Sequence, residues 1–386
     1  MARSRVAIEP LRALFDPDTI RELSWRLDRG RLPEAAAGWD LGVGGEWLGK
    51  LLSDWRDHDI VDQQARHGLL EHRSADVDGQ RVHFVHVQGV GPEPAPLVLT
   101  HGWPSTCFEF LSLVPLLTDP GRHGGDPADA FSVVVPSLPG FGFSSPPPTG
   151  GLTAAEVADL WHALMADGLG CDRYFAHGGD LGAGVTAWLA RRHPDSLAAI
   201  HLATPALPAP PRPWSKAEEA HFEHVTTWTA EEGGYAHQQS TKPATLAVGL
   251  LDSPAGLAAW LGEKVAAWSS TDHKGQPSFP RLLLLDTLTI YWCTATVGTS
   301  FLPYWRYRHS PDAALPPGQP AAVPTAVSVF GGEAVPFPKP PRELAERYFQ
   351  LVAWSVHDRG GHFPAVAEPQ LLANDLREAF RAYRRT

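Results

Sequence analysis

The chain has 386 residues and a formal net charge of −11. That balance excludes the basic face a nucleic-acid binder needs and the polybasic surface of an anionic-membrane binder. A 43% hydrophobic content with 14 Trp excludes a disordered chain, so the 36 Gly and 37 Pro belong to tight, ordered loops.

In chain order, Met1 to Pro10 shows no apolar signal-peptide core. Asp16-Pro17 predicts a helix start, with Ile20, Leu23 and Leu27 at helical spacing and Gly30 closing it. Trp47, Leu48, Leu51, Leu52 and Trp55 predict a second amphipathic helix. Asp78-Gly79 between Ser74–Val77 and Arg81–Val87 predicts a hairpin. Cys107, Cys171 and Cys293 show neither a disulfide framework nor zinc spacing, so a reducing, cytoplasmic compartment is expected.

From Pro96 short apolar runs end in Gly/Pro loops and alternate with helical stretches. Leu97–Thr100 runs into His101-Gly102-Trp103-Pro104, Phe131–Val135 into Pro136–Gly142, and Arg173–Ala176 into His177–Asp180. Leu197–Leu202 follows. Fully apolar strands alternating with helices predict an α/β fold, a mostly parallel central sheet with helices on both faces. The rhythm pauses from about Pro208 to Pro320, where Lys216–Thr227, Thr245–Leu251, Ala255–Trp268 and Leu282–Val297 read as helices. Leu282–Val297 is the most apolar stretch; interrupted by Asp286, it reads as a buried helix, too short to span a bilayer. Strands resume at Ala326–Phe330 and Leu351–Val356. The expected division is an N-terminal helical and hairpin module over 1–90, a core over 91–206 and 321–386, and a helical lid over 207–320 above the carboxyl ends of the strands.

Gly178-Gly179-Asp180-Leu181-Gly182 lies between an apolar strand and a helix over Ala183–Arg192. This is the pattern of the α/β-hydrolase nucleophile elbow, where small residues flank a strained central side chain. A Gly-rich turn with a helix-capping Asp gives the same letters. With Asp in place of Ser, the chemistry changes. A carboxylate is a poor acyl nucleophile but can displace at saturated carbon, leaving an ester that must be hydrolysed. His362, in Arg359-Gly360-Gly361-His362-Phe363-Pro364 after the last strand, is the candidate base. Glu333, in Phe330-Gly331-Gly332-Glu333, is the candidate acid that orients it; Asp358 is the rival. The order Asp180, Glu333, His362 follows that of the fold. The backbone N–H groups of Trp103 and Leu181 are the expected oxyanion donors. His101, Trp103 and Pro104 are the expected substrate contacts of the first loop, with packing under the lid as the plainer role for His101 and Trp103. Ser105 follows that loop and is not on the elbow, which excludes a Ser esterase.

Taken together, these residues resemble the microsomal-type epoxide hydrolases along the whole chain. The His101–Pro104 loop, Pro136–Phe143, the elbow and Arg359–Phe363 carry the resemblance. So do Gly234-Tyr235-Ala236-His237-Gln238 with Thr241-Lys242-Pro243, Asp252–Leu257, and Tyr291-Trp292. The resemblance implies hydration of an epoxide to a vicinal diol through a covalent alkyl-enzyme ester, with water as co-substrate and no metal or organic cofactor. It also implies two lid tyrosines on the epoxide oxygen: Tyr235, and Tyr304 with Tyr307 and Tyr291 as rivals. A phenol suits that task, since it donates a proton without carrying charge into an apolar pocket. The sequence departs from the family at Leu181, where Trp is usual, and around Asp54–Leu70. The first ten residues show no membrane anchor, so a bacterial, unanchored enzyme is expected; a homodimer is among the open assembly states. The many Trp and Phe point to an aryl or bulky epoxide, in natural-product biosynthesis or in detoxification. A haloalkane dehalogenase and a non-catalytic binding protein on the same fold are the alternatives. Leu181 counts against the first, and the retained Asp180, His362 and tyrosines against the second.

Overall fold

A computed structural model describes residues 6–12, 14–34, 38–148, 150–271, 277–310 and 313–384. Residues 1–5 of the Met1–Pro10 stretch lie outside that set. Asp16 caps helix Pro17–Asp28 by accepting from the Asp18 N–H, and the helix buries Leu23 and Leu27. It closes on Arg29, one residue before Gly30. Helix Gly45–Arg56 buries Leu48, Leu51, Leu52 and Trp55, the apolar set at helical spacing. The Trp55 indole N–H donates to Thr289 Oγ1 at 2.9 Å, tying this helix to the apolar helix Arg281–Cys293.

The strands are β1 (Ala7–Pro10), β2 (His72–Val77), β3 (Gln80–Val87), β4 (Ala95–Thr100), β5 (Phe131–Pro136), β6 (Tyr174–Gly179), β7 (Leu197–Ala203), β8 (Ala321–Gly331) and β9 (Phe349–Gly360). Among the described residues they form one sheet in the order β1-β2-β3-β5-β4-β6-β7-β8-β9. Pairs from β5 through β9 are parallel; β1, β2 and β3 join antiparallel. This is the α/β-hydrolase fold. Asp78 (φ 52°) and Gly79 (φ 82°) make the two-residue turn of the β2–β3 hairpin. The hairpin extends the core sheet through β3–β5 rather than standing with the N-terminal helices alone. β5 and β7 are buried at every residue, which is why they read as unbroken apolar runs. β9, at the sheet edge, alternates exposed and half-buried residues, so only part of it was visible as an apolar run.

Between β7 and β8 the chain is helical, carrying Lys216–Glu232, Gly234–Thr241, Pro243–Asp252, Pro254–Trp268, Arg281–Cys293, Val297–Ser300 and Leu302–His309. The helix expected to run to Val297 stops at Cys293, because Ala295 turns the backbone left-handed at φ 54°.

Asp286 interrupts that apolar helix for a structural reason. Its buried carboxylate meets His58 at 3.1 Å, His67 at 3.2 Å and Arg66 at 2.9 Å, all from the N-terminal block. Burial raises its pKa, but the bonds from His58, His67 and Arg66 win and hold it below the usual carboxylate range. Removing it takes a shared acceptor from buried His58 and His67 and from half-buried Arg66, so Asp286→Ala is expected to cost about 3 kcal/mol in chemical denaturation. The folded pKa is depressed, so the contribution is complete above the free-Asp value of about 4 and fades as pH falls through the folded value. Parent and variant stabilities should therefore converge in acid.

Candidate active site

The carboxyl ends of β4, β6, β8 and β9 converge on Asp180. This residue follows β6 and starts helix Leu181–Arg192 with φ 50° and ψ −126°, a strained conformation costing about 1–3 kcal/mol. The flanking glycines are sterically required. A Cβ on Gly178 would sit 2.1 Å from the Gly182 carbonyl oxygen, and one on Gly182 would sit 2.0 Å from that of Thr100. The turn thus presents the side chain at the head of the helix, facing the loop after β4. The Trp103 N–H donates to Asp180 Oδ1 at 2.8 Å, and the Leu181 N–H supports the same carboxylate. Burial pushes the Asp180 pKa up. Contact with His362 and the two N–H groups outweigh that and hold it below the ordinary value, so it is ionised at neutral pH.

His362 reaches the site from the turn after β9, where Gly360 (φ 104°) and Gly361 (φ 60°) reverse the chain. Its Nε2 lies 3.3 Å from Asp180 Oδ2. The approach is off the hydrogen-bonding direction, and Nε2 is buried without a hydrogen-bond partner. The His362 N–H donates to the Trp268 carbonyl at 3.0 Å, and the Trp268 ring packs 4.8 Å from the imidazole. The next residues of that lid segment pair with the loop after β8: Ala334 N–H to the Ser269 carbonyl at 2.8 Å, and Val335 N–H to the Ala267 carbonyl at 2.9 Å.

Glu333 makes no hydrogen bond to His362, the contact that the sequence order predicts. Its carboxylate is buried and paired with Lys339 Nζ at 2.9 Å, which claims the oxygen. The side chain is nonetheless adjacent, its Cγ 3.7 Å from where a Cβ on Gly361 would stand. Asp358 is exposed on β9.

Tyr235, on helix Gly234–Thr241, stacks on Trp103 with centroids 5.3 Å apart. Tyr304, on helix Leu302–His309, meets Trp103 edge-on at 6.0 Å and Tyr235 at 6.0 Å. Burial, reinforced by the Asp180 charge, pushes the Tyr235 phenol up. Burial followed by Tyr235 and Asp180 does the same at Tyr304, so both stay protonated. The other candidates fall away. Tyr307 is 56% exposed, and the Tyr291 hydroxyl donates to the Ser105 carbonyl at 3.0 Å.

His101 is not a ligand contact. It is fully buried, accepts from the Leu138 N–H at Nε2, and turns Nδ1 to the Gly102 carbonyl. Burial pushes it down to about 4, so it stays neutral and braces the loop. Pro104 is buried in the same loop. Residues not singled out in the sequence complete the site. Trp268 and Phe301 close an aromatic cage with Trp103, Tyr235 and Tyr304. The Lys264 ammonium stands 5.2 Å from the Tyr235 ring centroid, paired with Glu263 at 2.9 Å. Their only sequence trace was apolar helical spacing, which does not separate a cage from a core.

The fold and the elbow define an α/β-hydrolase. The sequence model for the epoxide hydrolase N terminus matches residues 8–110, and that for the alpha/beta hydrolase fold matches 95–252. An epoxide hydrolase relative in Stigmatella aurantiaca is 38% identical over 98% of this chain and 86% of its own length. Epoxide hydrolase 1 of Oryctolagus cuniculus is 30% identical over 96% of this chain and 88% of its own. The crystal structure of juvenile hormone epoxide hydrolase from the silkworm Bombyx mori superposes with a TM-score of 0.82, at 29% identity, covering 98% of this chain and 94% of that one. The chain belongs to the microsomal-type epoxide hydrolase family and is an epoxide hydrolase.

Proposed function

We propose that Asp180 opens the epoxide by attack on carbon, and that the resulting alkyl ester is hydrolysed by water activated by His362. One observation carries this reading: an ionised carboxylate on a strained elbow, with the lid phenols on one side and an unpartnered imidazole nitrogen on the other. Tyr235 and Tyr304 donate to the epoxide oxygen as its bond to carbon breaks. The N–H groups of Trp103 and Leu181 then stabilise the oxyanion formed on the Asp180 ester. Glu333, held by Lys339, packs beside the loop that carries the base. The cage of Trp103, Tyr235, Trp268, Phe301 and Tyr304 favours an apolar, aryl or bulky epoxide.

A single turnover of styrene oxide in heavy-oxygen water tests the reading. Label is expected in the Asp180 carboxylate, since water attacks its carbonyl carbon. Label confined to the diol would replace this route with direct attack of water. Each of Tyr235→Phe and Tyr304→Phe is expected to slow ester formation about 10- to 100-fold, read as the stopped-flow alkylation rate. The double variant should lose more than either alone.

A further inference from the structure

Asp180 borders a second space. This is a cavity of about 20 Å³, room for one water molecule, with Ser105, Glu109, His177, Asp180 and His362 among its lining residues. Neither Tyr235 nor Tyr304 lines it, so it is separate from the place where the phenols meet an epoxide. His362 Nε2 is the buried, unpartnered nitrogen already described. Glu109 belongs to the short 3-10 helix Cys107–Phe110, just past the Trp103–Pro104 turn, with Ser105 beside its carboxyl. A water needs two to four polar partners to be held in place, and the cavity walls supply them.

We infer that this cavity holds the water that hydrolyses the Asp180 ester, and that Glu109 positions it against His362. The inference rests on the ester reading above. The water oxygen bonds to Asp180 Cγ while one proton passes to His362 Nε2. The bond from Cγ to the alkyl oxygen then breaks, and the diol oxygen leaves with the proton from His362. The water's second proton replaces the one a tyrosine gave up during ring opening. Glu109 keeps its own proton throughout. Burial pushes its carboxyl up to about 8, Ser105 opposing and the Asp180 charge assisting. In that neutral form it bonds the water without setting a second negative charge beside the oxyanion.

Ionised Glu109 would oppose hydrolysis, so the step should weaken above pH 8. The titratable groups facing Glu109 come from every element around it. They are Asp180 at the elbow, His362 after β9, His177 on β6, Tyr291 on helix Arg281–Cys293, and Cys107 on its own helix. Burial holds His177 down at about 4, pushes Cys107 up to about 12 and pushes Tyr291 well above its ordinary value, so all three are neutral around pH 8.

The test measures alkylation and ester hydrolysis separately, by stopped flow with styrene oxide, from pH 6 to 10. Glu109→Leu is expected to alkylate within about twofold of the parent and to hydrolyse its adduct about tenfold or more slower. Glu109→Gln, neutral at every pH, is expected to keep hydrolysis within about threefold of the parent below pH 8 and to lose the alkaline fall. Parent-like hydrolysis in Glu109→Leu, or an unchanged alkaline fall in Glu109→Gln, would overturn the assignment. If Glu109→Leu does not fold, the Glu109→Gln profile decides alone. Absence of any adduct in the parent would overturn the ester reading, and this one with it.

Discussion

Asp180→Ala is expected to lower kcat/KM about 10⁴-fold or more, with no covalent adduct at any time. A loss of that size corresponds to about 5.5 kcal/mol of transition-state stabilisation. Nothing else at the site supplies a carboxylate in the same position. Glu109 lies in the cavity away from the phenols, and Glu333 is bound to Lys339. The fold should tolerate the change. The variant removes a buried charge but leaves the Trp103 and Leu181 N–H groups without their acceptor, so its melting temperature should fall by only a few degrees. Thermal melting and steady-state assay on one sample check both halves. A folded variant that still forms a covalent adduct would remove Asp180 from the attacking role.

His362→Gln separates the two half-reactions. On the proposed route, ring opening needs the ionised Asp180 and the two phenols, all of which the variant retains. Ester hydrolysis needs a base for water, which it lacks, and general-base loss typically costs about 10²- to 10⁴-fold. Alkyl-enzyme should therefore accumulate to one equivalent, visible as intact-protein mass raised by the mass of the epoxide. Slow steady-state turnover without the adduct would place His362 in ring opening instead.

The sequence revealed most where stereochemistry leaves few options. Gly178 and Gly182 mark the elbow because any side chain there strikes backbone within about 2 Å. Asp16-Pro17 and Asp78-Gly79 mark a cap and a turn for equally local reasons. The parallel strands were visible because burial on both faces makes them uniformly apolar. What stayed hidden depends on contacts distant in sequence. The Glu333 partner could not be read from motif order, since Lys339 competes for the carboxylate only in the folded loop. The helices carrying Tyr235 and Tyr304 are eight residues each and show no clear apolar period, their aromatic residues facing a site rather than a core. Asp286 read as an interruption because its partners lie some 220 residues earlier in the chain.

The bonds from Ala267, Trp268 and Ser269 to the two catalytic loops carry a mechanical consequence. That end of the lid and the base form a single clamp. Lifting the lid there would break the Trp268–His362 bond and drag the imidazole from Asp180. Tyr235 packs on the Trp268 ring at 5.2 Å, so that phenol is tied to the same clamp. Any movement that admits substrate would have to spare it, keeping the imidazole and one phenol in register with Asp180.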